Sequence, residues 1–196
     1  MDAPSPPPAR GDATANVMRL QRSFISTPIG DMLTLASDEG LCALEFTGPA
    51  RPMTRLEARL ERHFPPHEIV DRESLLIART RQWLAAYFAG ESADLGGVPL
   101  DMRGAAFEKR VWQALTRIPP GETTSYGALA KALGSAGASR AVGAANGANP
   151  IAIIVPCHRV IGASGHLTGY GGGLDRKTWL LNHERRWSRS PQAALF

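Results

Sequence analysis

Residues 139–160 read SRAVGAANGANPIAIIVPCHRV and fall into two contrasting parts. In the first, 139–147, every residue except Arg140, Val142 and Asn146 is Ser, Ala or Gly, and 139–146 is predicted to be a short helix with a smooth surface. The apolar run 151–155 is bounded by prolines and predicts a buried extended segment. Cys157 and His158 follow directly. The sequence therefore places a thiol and an imidazole at the end of a buried segment.

The segment before this stretch has a second short helical pattern, at residues 125–133. A glycine-containing turn, 134–137, joins it to the helix predicted at 139–146. Two short helices connected in this way are typical of the helix-turn-helix motif. The pattern alone is weak evidence for DNA binding, because any helical hairpin has a similar sequence.

Further helices are predicted on both sides of this hairpin. An apolar stripe precedes it and ends at Pro119. A glycine-rich loop, 162–173, follows the cysteine and leads to a last helix at 175–187. The stripe consists of Phe107, Val111, Trp112, Leu115 and Ile118.

The first half of the chain combines strands with helices. Strands are predicted within 22–46, with a hairpin beginning at 24–31 and further strands at 32–36 and 41–46. Helices are predicted at 51–64 and from an N-cap at Ser74 to Gly90. We therefore predict an α+β protein. Its predicted parts are a disordered tail (1–19), an N-terminal α/β domain (20–100), a mostly helical C-terminal domain (104–187) and a second tail (188–196).

The charge is unevenly distributed along the chain. Residues 1–103 contain 11 basic and 14 acidic side chains, a net charge of −3, whereas residues 104–196 contain 11 and 4, a net charge of +7. A basic C-terminal half favours a polyanionic partner, and a chance excess on a solvated surface is the alternative.

Targeting and membrane segments are not predicted. No apolar run is long enough to span a bilayer, and the N-terminus lacks the apolar stretch of a signal peptide. Only Cys42 and Cys157 are present, too few for a disulfide framework. We therefore expect a protein of the reducing cytoplasm that does not bind membranes.

Cys157 is the candidate nucleophile. A thiol reacts as its thiolate, and a neighbouring imidazole can accept its proton. Most lone cysteines are nevertheless buried and inert, and sequence adjacency to His158 does not ensure contact.

A longer ordered set of motifs decides between these interpretations. Pro156-Cys157-His158-Arg159-Val160 resembles the active-site motif of the O6-alkylguanine-DNA alkyltransferases, and the resemblance covers about residues 20–187. It implies a ribonuclease H-like N-terminal domain and a winged-helix-like C-terminal domain. It also implies a single-turnover enzyme that repairs DNA by moving an alkyl (methyl) group from O6 of guanine, and also O4 of thymine, to Cys157. The other matching segments are Ser125-Tyr126-Gly127, Ser139-Arg140-Ala141-Val142-Gly143, Asn149-Pro150, Gly165, Gly169-Tyr170 and Lys177 through Leu181 to Glu184.

The same resemblance implies roles for individual side chains. His158 would deprotonate Cys157 through a water, with Glu184 orienting His158. Tyr126 would donate a proton or hydrogen bond to N3 of the departing guanine. Arg140 would fill the gap left by the flipped nucleotide, and Asn149 would brace the turn between the recognition helix and the active site.

Binding surfaces are implied as well. The helix bearing Ser139, Ala141 and Gly143 would lie in the minor groove of double-stranded DNA, which is too narrow for bulky side chains. Tyr170, Gly171 and Gly172 would line the alkyl pocket, with Val155, Pro156 and Val160 as apolar walls. A monomer that clusters cooperatively on DNA is expected, associated with the nucleoid in a bacterium.

No cofactor is expected. Some members of this family bind structural zinc in the N-terminal domain, but Cys42, His63 and His67 do not form a convincing ligand set here. We therefore predict no metal.

Three other functions remain as alternatives. The first is a non-catalytic damage sensor similar to the alkyltransferase-like proteins, which have Trp in place of the nucleophile. The second is a cysteine hydrolase based on Cys157 and His158, which would turn over. The third is a helix-turn-helix regulator that binds an undamaged operator.

Overall fold

The computed structural model describes residues 17–48, 53–64, 66–91 and 97–188. The predicted N-terminal tail, apart from its last three residues, lies outside the described residues. So do residues 189–196 of the predicted C-terminal tail and the first two residues of the helix predicted at 51–64.

A four-stranded sheet forms the first half of the molecule, with strand order β3-β2-β1-β4. The three strands predicted from the sequence form an antiparallel meander, and β4 pairs with β1 in parallel. α1 connects β3 to β4 and buries Leu56 and Leu60 against the sheet. β4 was not predicted, because its edge position leaves it mostly exposed and without alternating apolar residues. These elements are β1 Met18–Ile25, β2 Met32–Ala36, β3 Leu41–Phe46, α1 Met53–His63 and β4 His67–Asp71.

α2, Leu75–Ala89, joins this sheet to the second half of the molecule. Ser74 caps it as predicted, accepting a hydrogen bond from Ile77 N at 3.3 Å. Gly90 ends it in the left-handed conformation, with φ 76°. Trp83 and Tyr87 belong to a large core cluster that also contains residues from both halves of the chain, such as Leu44 and Leu180. The two predicted domains therefore share this cluster, whereas the smaller cluster beneath α1 belongs to the first half alone.

The second half is mostly helical. β5 and β6 pair in parallel, so that Thr124 lies beside Val160. β5 directly precedes α4, and β6 directly follows a 3₁₀ turn at Cys157–Arg159. This pairing brings the start of α4 close to the cysteine. The remaining elements are α3 Ala106–Leu115, β5 Thr124–Ser125, α4 Tyr126–Ala132, α5 Ser139–Gly147, β6 Val160–Ile161 and α6 Leu174–Ser188.

The apolar run 151–155 is buried as predicted, but the extended conformation predicted for it is wrong. Ile151 makes an isolated bridge with Leu44, and the chain then turns, with Ile153 in the left-handed region at φ 69°. Val155 N donates to Ile151 O at 3.0 Å and closes the turn. The apolar pattern indicates that these residues are buried, and a tight turn can bury them as well as a strand can.

Within the described ranges, none of the helices combines the length and apolar character that crossing a membrane requires.

Candidate active site

Asn149 connects α5 to the cysteine. Its side chain is buried, and Nδ2 lies 2.8 Å from Val155 O, 3.3 Å from Ile151 O and 3.1 Å from Cys157 Sγ. Its Oδ1 accepts from Ile151 N at 3.0 Å. Asn146, at the end of α5, donates to Cys157 O at 3.3 Å. Asn146 and Asn149 therefore hold the cysteine close to the C-terminal end of α5.

His158 and Glu184 are both fully buried and in contact. His158 Nε2 lies 2.8 Å from Glu184 Oε1. Arg159 binds the same carboxylate with two hydrogen bonds, Nε to Oε2 at 2.9 Å and Nη2 to Oε1 at 2.8 Å. Arg159 Nη1 also donates to Ile118 O. Arg159 thus compensates the buried charge of Glu184.

The charge states of this pair follow from its surroundings. Burial alone would raise the pKa of Glu184, but hydrogen bonds from His158 and Arg159 outweigh it and hold that pKa well below the ordinary glutamate range. Burial lowers the pKa of His158, and Glu184 opposes this effect only in part. The site therefore contains an ionised carboxylate and a neutral imidazole.

The tautomer of His158 follows as well. A carboxylate is only an acceptor, so the ring hydrogen lies on Nε2 and the lone pair on Nδ1. Nδ1 is buried and has no hydrogen-bond partner within the residues that the structure describes. This nitrogen is available to accept a proton, as a general base requires.

A cavity of about 200 Å³ lies beside Cys157. Tyr126, Gly143 and Asn149 line it on the side of α4 and α5, and the glycine-rich loop lines it on the other side. Val155, Pro156 and Val160, expected as its apolar walls, are buried around the cysteine but do not line the cavity. The full lining is Phe46, Arg55, Tyr126, Gly143, Asn146, Gly147, Asn149, Ala152, Cys157, Gly169, Tyr170, Gly171 and Gly172.

α5 presents some of its small residues to solvent and buries Ala145 in the core. Arg140, Ala141 and Ala144 are exposed and Ser139 is half-buried, whereas Val142 packs in the core. A side chain at Gly143 would meet the ring of Tyr126 at 3.7 Å. The arrangement is a smooth helix surface with one exposed arginine, next to a cavity that ends at a thiol.

Two family models match the chain, one for each half. The description of the first is 6-O-methylguanine DNA methyltransferase, ribonuclease-like domain, and it covers residues 20–102. The second is the DNA binding domain of the same protein and covers residues 106–186. The chain belongs to the 6-O-methylguanine DNA methyltransferase family. The predicted resemblance, fold class and two-part architecture are confirmed.

Two named relatives support the same family. A methylated-DNA–protein-cysteine methyltransferase of Mycolicibacterium paratuberculosis is 66% identical over 155 residues, 79% of this chain and 92% of the relative. One from Salmonella typhimurium is 45% identical over 170 residues, 86% of this chain and 97% of the relative.

Among solved structures, Mycobacterium tuberculosis O6-methylguanine methyltransferase superposes with a TM-score of 0.73 at 40% identity, covering 92% of this chain and all of that one. M. tuberculosis OGT in complex with DNA superposes with a TM-score of 0.71 at 42% identity, covering 91% of this chain and 99% of that one.

The structure adds residues to the candidate site that the sequence did not single out. Lys177 is fully buried, and its Nζ binds the carbonyls of Val160 and Thr168, each at 2.7 Å, which fixes the glycine-rich loop. Burial lowers the pKa of Lys177 to about 8, and a negative charge on the nearby Cys157 would oppose this effect. Phe46 of β3 and Arg176 of α6 also contact this loop. The only sequence signal for Lys177 was its place in a matched motif.

Zinc ligands are not brought together. In the described part of the chain, no cluster of three or more His, Cys, Asp or Glu side chains could hold a metal ion. Cys42 is buried in the N-terminal half, and burial raises the pKa of its thiol to about 11. Cys42 is therefore a packing residue and not a second nucleophile.

Gly172 tests the shape of the cavity. A Cβ at this position would lie 2.7 Å from Tyr170 Cε1 and 2.8 Å from Phe46 Cδ2, so Gly172→Ala forces the loop to move. We expect the rate with free O6-benzylguanine to fall by about tenfold or more, because small displacements of reacting groups are costly. Gly147→Ala is the matched control: it lines the same cavity, and its Cβ meets nothing within 4 Å. Equal rates for the two variants would contradict this description of the cavity.

Proposed function

We propose that this protein repairs DNA by transferring the methyl group of O6-methylguanine irreversibly to Cys157. The observation that carries the proposal is the position of Cys157: it lines a cavity beside the smooth surface of α5 and precedes a buried histidine that is in contact with Glu184. The names of the relatives, methylated-DNA–protein-cysteine methyltransferases, support the same reaction. We extend the proposal to O4-methylthymine as a second substrate.

The proposed reaction begins with the thiol proton. His158 Nδ1 accepts it from Cys157 through a water, and the ionised Glu184 stabilises the imidazolium that forms. The thiolate then attacks the methyl carbon opposite O6 in an in-line displacement. The carbon–sulfur bond forms as the carbon–oxygen bond breaks, and the electron pair goes to guanine. Tyr126 lines the cavity and donates to N3, which lowers the charge of the departing base.

The proposed substrate is double-stranded DNA with the damaged nucleotide flipped out. O6 is stacked inside the duplex, so the base must enter the cavity before the sulfur can reach it. The surface of α5 formed by the exposed Ala141 and the half-buried Ser139 and Gly143 is proposed to lie in the minor groove, with Arg140 filling the space that the flipped base leaves. Tyr170, Gly171 and Gly172 enclose the base, while Val155, Pro156 and Val160 hold Cys157 from behind.

We also infer the setting of the protein. A reactive thiol favours the reducing cytoplasm, and the net charge of +7 in residues 104–196 favours association with DNA. The free protein is proposed to be a monomer, with cooperative clustering on DNA. Residues 20–100 and 104–187 are proposed as its two domains, with tails at 1–19 and 188–196. The proposed reaction uses no cofactor.

Stoichiometry tests this proposal. The protein is incubated with an excess of duplex containing one O6-methylguanine, and its mass is followed with time. We expect the Cys157 peptide to gain one methyl group and the reaction to stop after one lesion per protein, because a thioether does not react with water. Continued turnover would favour a cysteine hydrolase, and unaltered protein with unrepaired DNA would favour a damage sensor.

A further inference from the structure

Tyr87 lies on α2 in the N-terminal half and has no solvent exposure. Its hydroxyl donates to Glu184 Oε1 at 2.7 Å, across 97 residues of sequence. The proposed reaction does not use this tyrosine, whose ring packs in the same core cluster as Trp83. A buried hydroxyl that donates to Glu184, the carboxylate paired with His158, indicates more than packing.

Glu184 Oε1 is shared by three donors. Tyr87 Oη lies at 2.7 Å, His158 Nε2 at 2.8 Å and Arg159 Nη2 at 2.8 Å. Oε2 accepts from Arg159 Nε at 2.9 Å and from Gly121 N at 3.3 Å. Each donor withdraws negative charge from the oxygen that it binds, and buried hydrogen bonds in one network influence each other. The strength of the Tyr87 hydrogen bond therefore affects how strongly Glu184 stabilises a proton on His158.

We propose that Tyr87 is a positioning residue for alkyl transfer: through Glu184 it orients His158 and limits its basicity, an inference that rests on the proposed function. The N-terminal half thereby takes part in the chemistry. Without the Tyr87 hydroxyl, Oε1 carries more negative charge and stabilises protonated His158 more strongly. The base would then be protonated at a higher pH and would be lost to catalysis there.

Other charged and titratable groups also surround His158. They come from the 3₁₀ turn, from α6 and from the glycine-rich loop. Arg159 and Lys177 lower the pKa of His158, and Glu184 raises it. Burial, followed by Glu184, raises the pKa of Tyr87 well above the ordinary tyrosine value, so its hydroxyl remains a donor throughout the assay range. Among the residues that the structure describes, these groups are Cys157, Arg159, Tyr170, Lys177 and Glu184 around His158, with His183 beside the Tyr87 ring.

A purely structural role predicts a different outcome. The Tyr87 ring stacks on Trp83 at 5.3 Å and meets Phe88 edge-on at 5.4 Å. Removing the hydroxyl would then lower stability and reduce the amount of active protein. It would not change the pH at which His158 titrates.

The test is a graded series at position 87: phenylalanine, tyrosine and 3-fluorotyrosine introduced by nonsense suppression. Fluorine withdraws electrons and makes the phenol a stronger donor with little change in size. NMR of histidine-labelled protein follows the His158 ring without DNA, and the pH dependence of transfer from an O6-methylguanine duplex is measured separately. We expect the pH midpoint of the His158 titration to be highest in Tyr87→Phe, lower in the wild type and lowest in the fluorotyrosine protein. The midpoint in Tyr87→Phe should lie about half a pH unit above that of the wild type.

The acid limb of the transfer rate is expected to move in the same order. The proposal would be overturned if the midpoints coincided or followed the reverse order. It would also be overturned if His158 did not titrate in any of the proteins before they unfold. If Tyr87→Phe does not fold, the fluorotyrosine protein still gives the sign of the shift. Wild-type protein that transfers no methyl group would contradict the proposed function, whereas the NMR series tests the inference separately.

Thr80→Val is the matched control. Thr80 is also fully buried on α2, and its hydroxyl donates to Leu76 O at 2.9 Å within the helix. This variant loses a buried hydroxyl that does not contact Glu184. We expect its His158 midpoint to equal that of the wild type. A midpoint that moves as far as in Tyr87→Phe would mean that a general loosening of α2 causes the shift.

Discussion

Cys157→Ala is expected to accept no methyl group at all and to bind duplex containing O6-methylguanine nearly as tightly as the wild type. Alanine has no nucleophilic atom, and the proposed reaction leaves no other route for the methyl group. The surface of α5 that would contact DNA does not include the sulfur. Binding is measured by titration of labelled duplex, and transfer by the mass of the protein after incubation with the lesion.

The fold is expected to tolerate this change. Asn149 Nδ2 loses its contact with Sγ at 3.1 Å but keeps the bonds to Val155 O and Ile151 O. Removing one buried acceptor of this kind costs about 1 kcal/mol, which a folded domain withstands. Loss of DNA binding together with transfer would therefore mean that Cys157 is needed for structure, and would remove the main support for its role as acceptor.

Cys42→Ala is the control for thiol chemistry. Cys42 is fully buried, its Sγ contacts Gly40 O at 3.4 Å, and burial raises its pKa to about 11. We expect this variant to accept one methyl group per protein, like the wild type. A methyl group found on Cys42, or transfer lost in Cys42→Ala, would contradict the assignment of Cys157.

The sequence predicted those parts of the fold whose signals are local. The cap at Ser74, the left-handed glycine at Gly90 and the two short helices of the hairpin depend on neighbouring residues, and the structure contains them. The run 151–155 differs because its apolar residues indicate burial and not conformation. The hydrogen bonds that close its turn come partly from Asn149, a side chain whose partners no periodic pattern reveals.

From local sequence patterns alone, the site could be predicted only where it is continuous in the sequence, whereas Tyr126, Asn149 and Glu184 were implied by the family resemblance. Cys157 and His158 are adjacent, so one motif contains both. Tyr87 and Phe46 reach the site from the N-terminal half through tertiary packing. Each has the pattern of an ordinary core aromatic residue, because the partner that gives it a role is distant in sequence. Predicting these contacts requires the packing of the two halves, which local propensities do not determine.

Arg140→Ala is expected to slow repair of duplex DNA by about tenfold to a hundredfold, and to slow the reaction with free O6-benzylguanine far less. Flipping a nucleotide costs a few kcal/mol in lost stacking and pairing, and a side chain that fills the gap offsets part of that cost. Each 1.4 kcal/mol that is no longer offset lowers the population of the flipped state about tenfold. A free base requires no flipping, so the thiol, the imidazole and the cavity act on it without help from Arg140.

Charge alone would predict a different pattern, and Arg79→Ala distinguishes the two causes. Arg79 is also an exposed arginine on a helix, but α2 carries it in the N-terminal half. Both variants remove one positive charge, so a general electrostatic attraction to DNA would weaken similarly in both and would recover at low salt. We expect Arg79→Ala to repair duplex at close to the wild-type rate and Arg140→Ala to remain slow at low salt. Equal slowing of Arg140→Ala on duplex and on free base would mean that Arg140 supports the cavity and does not enter the DNA.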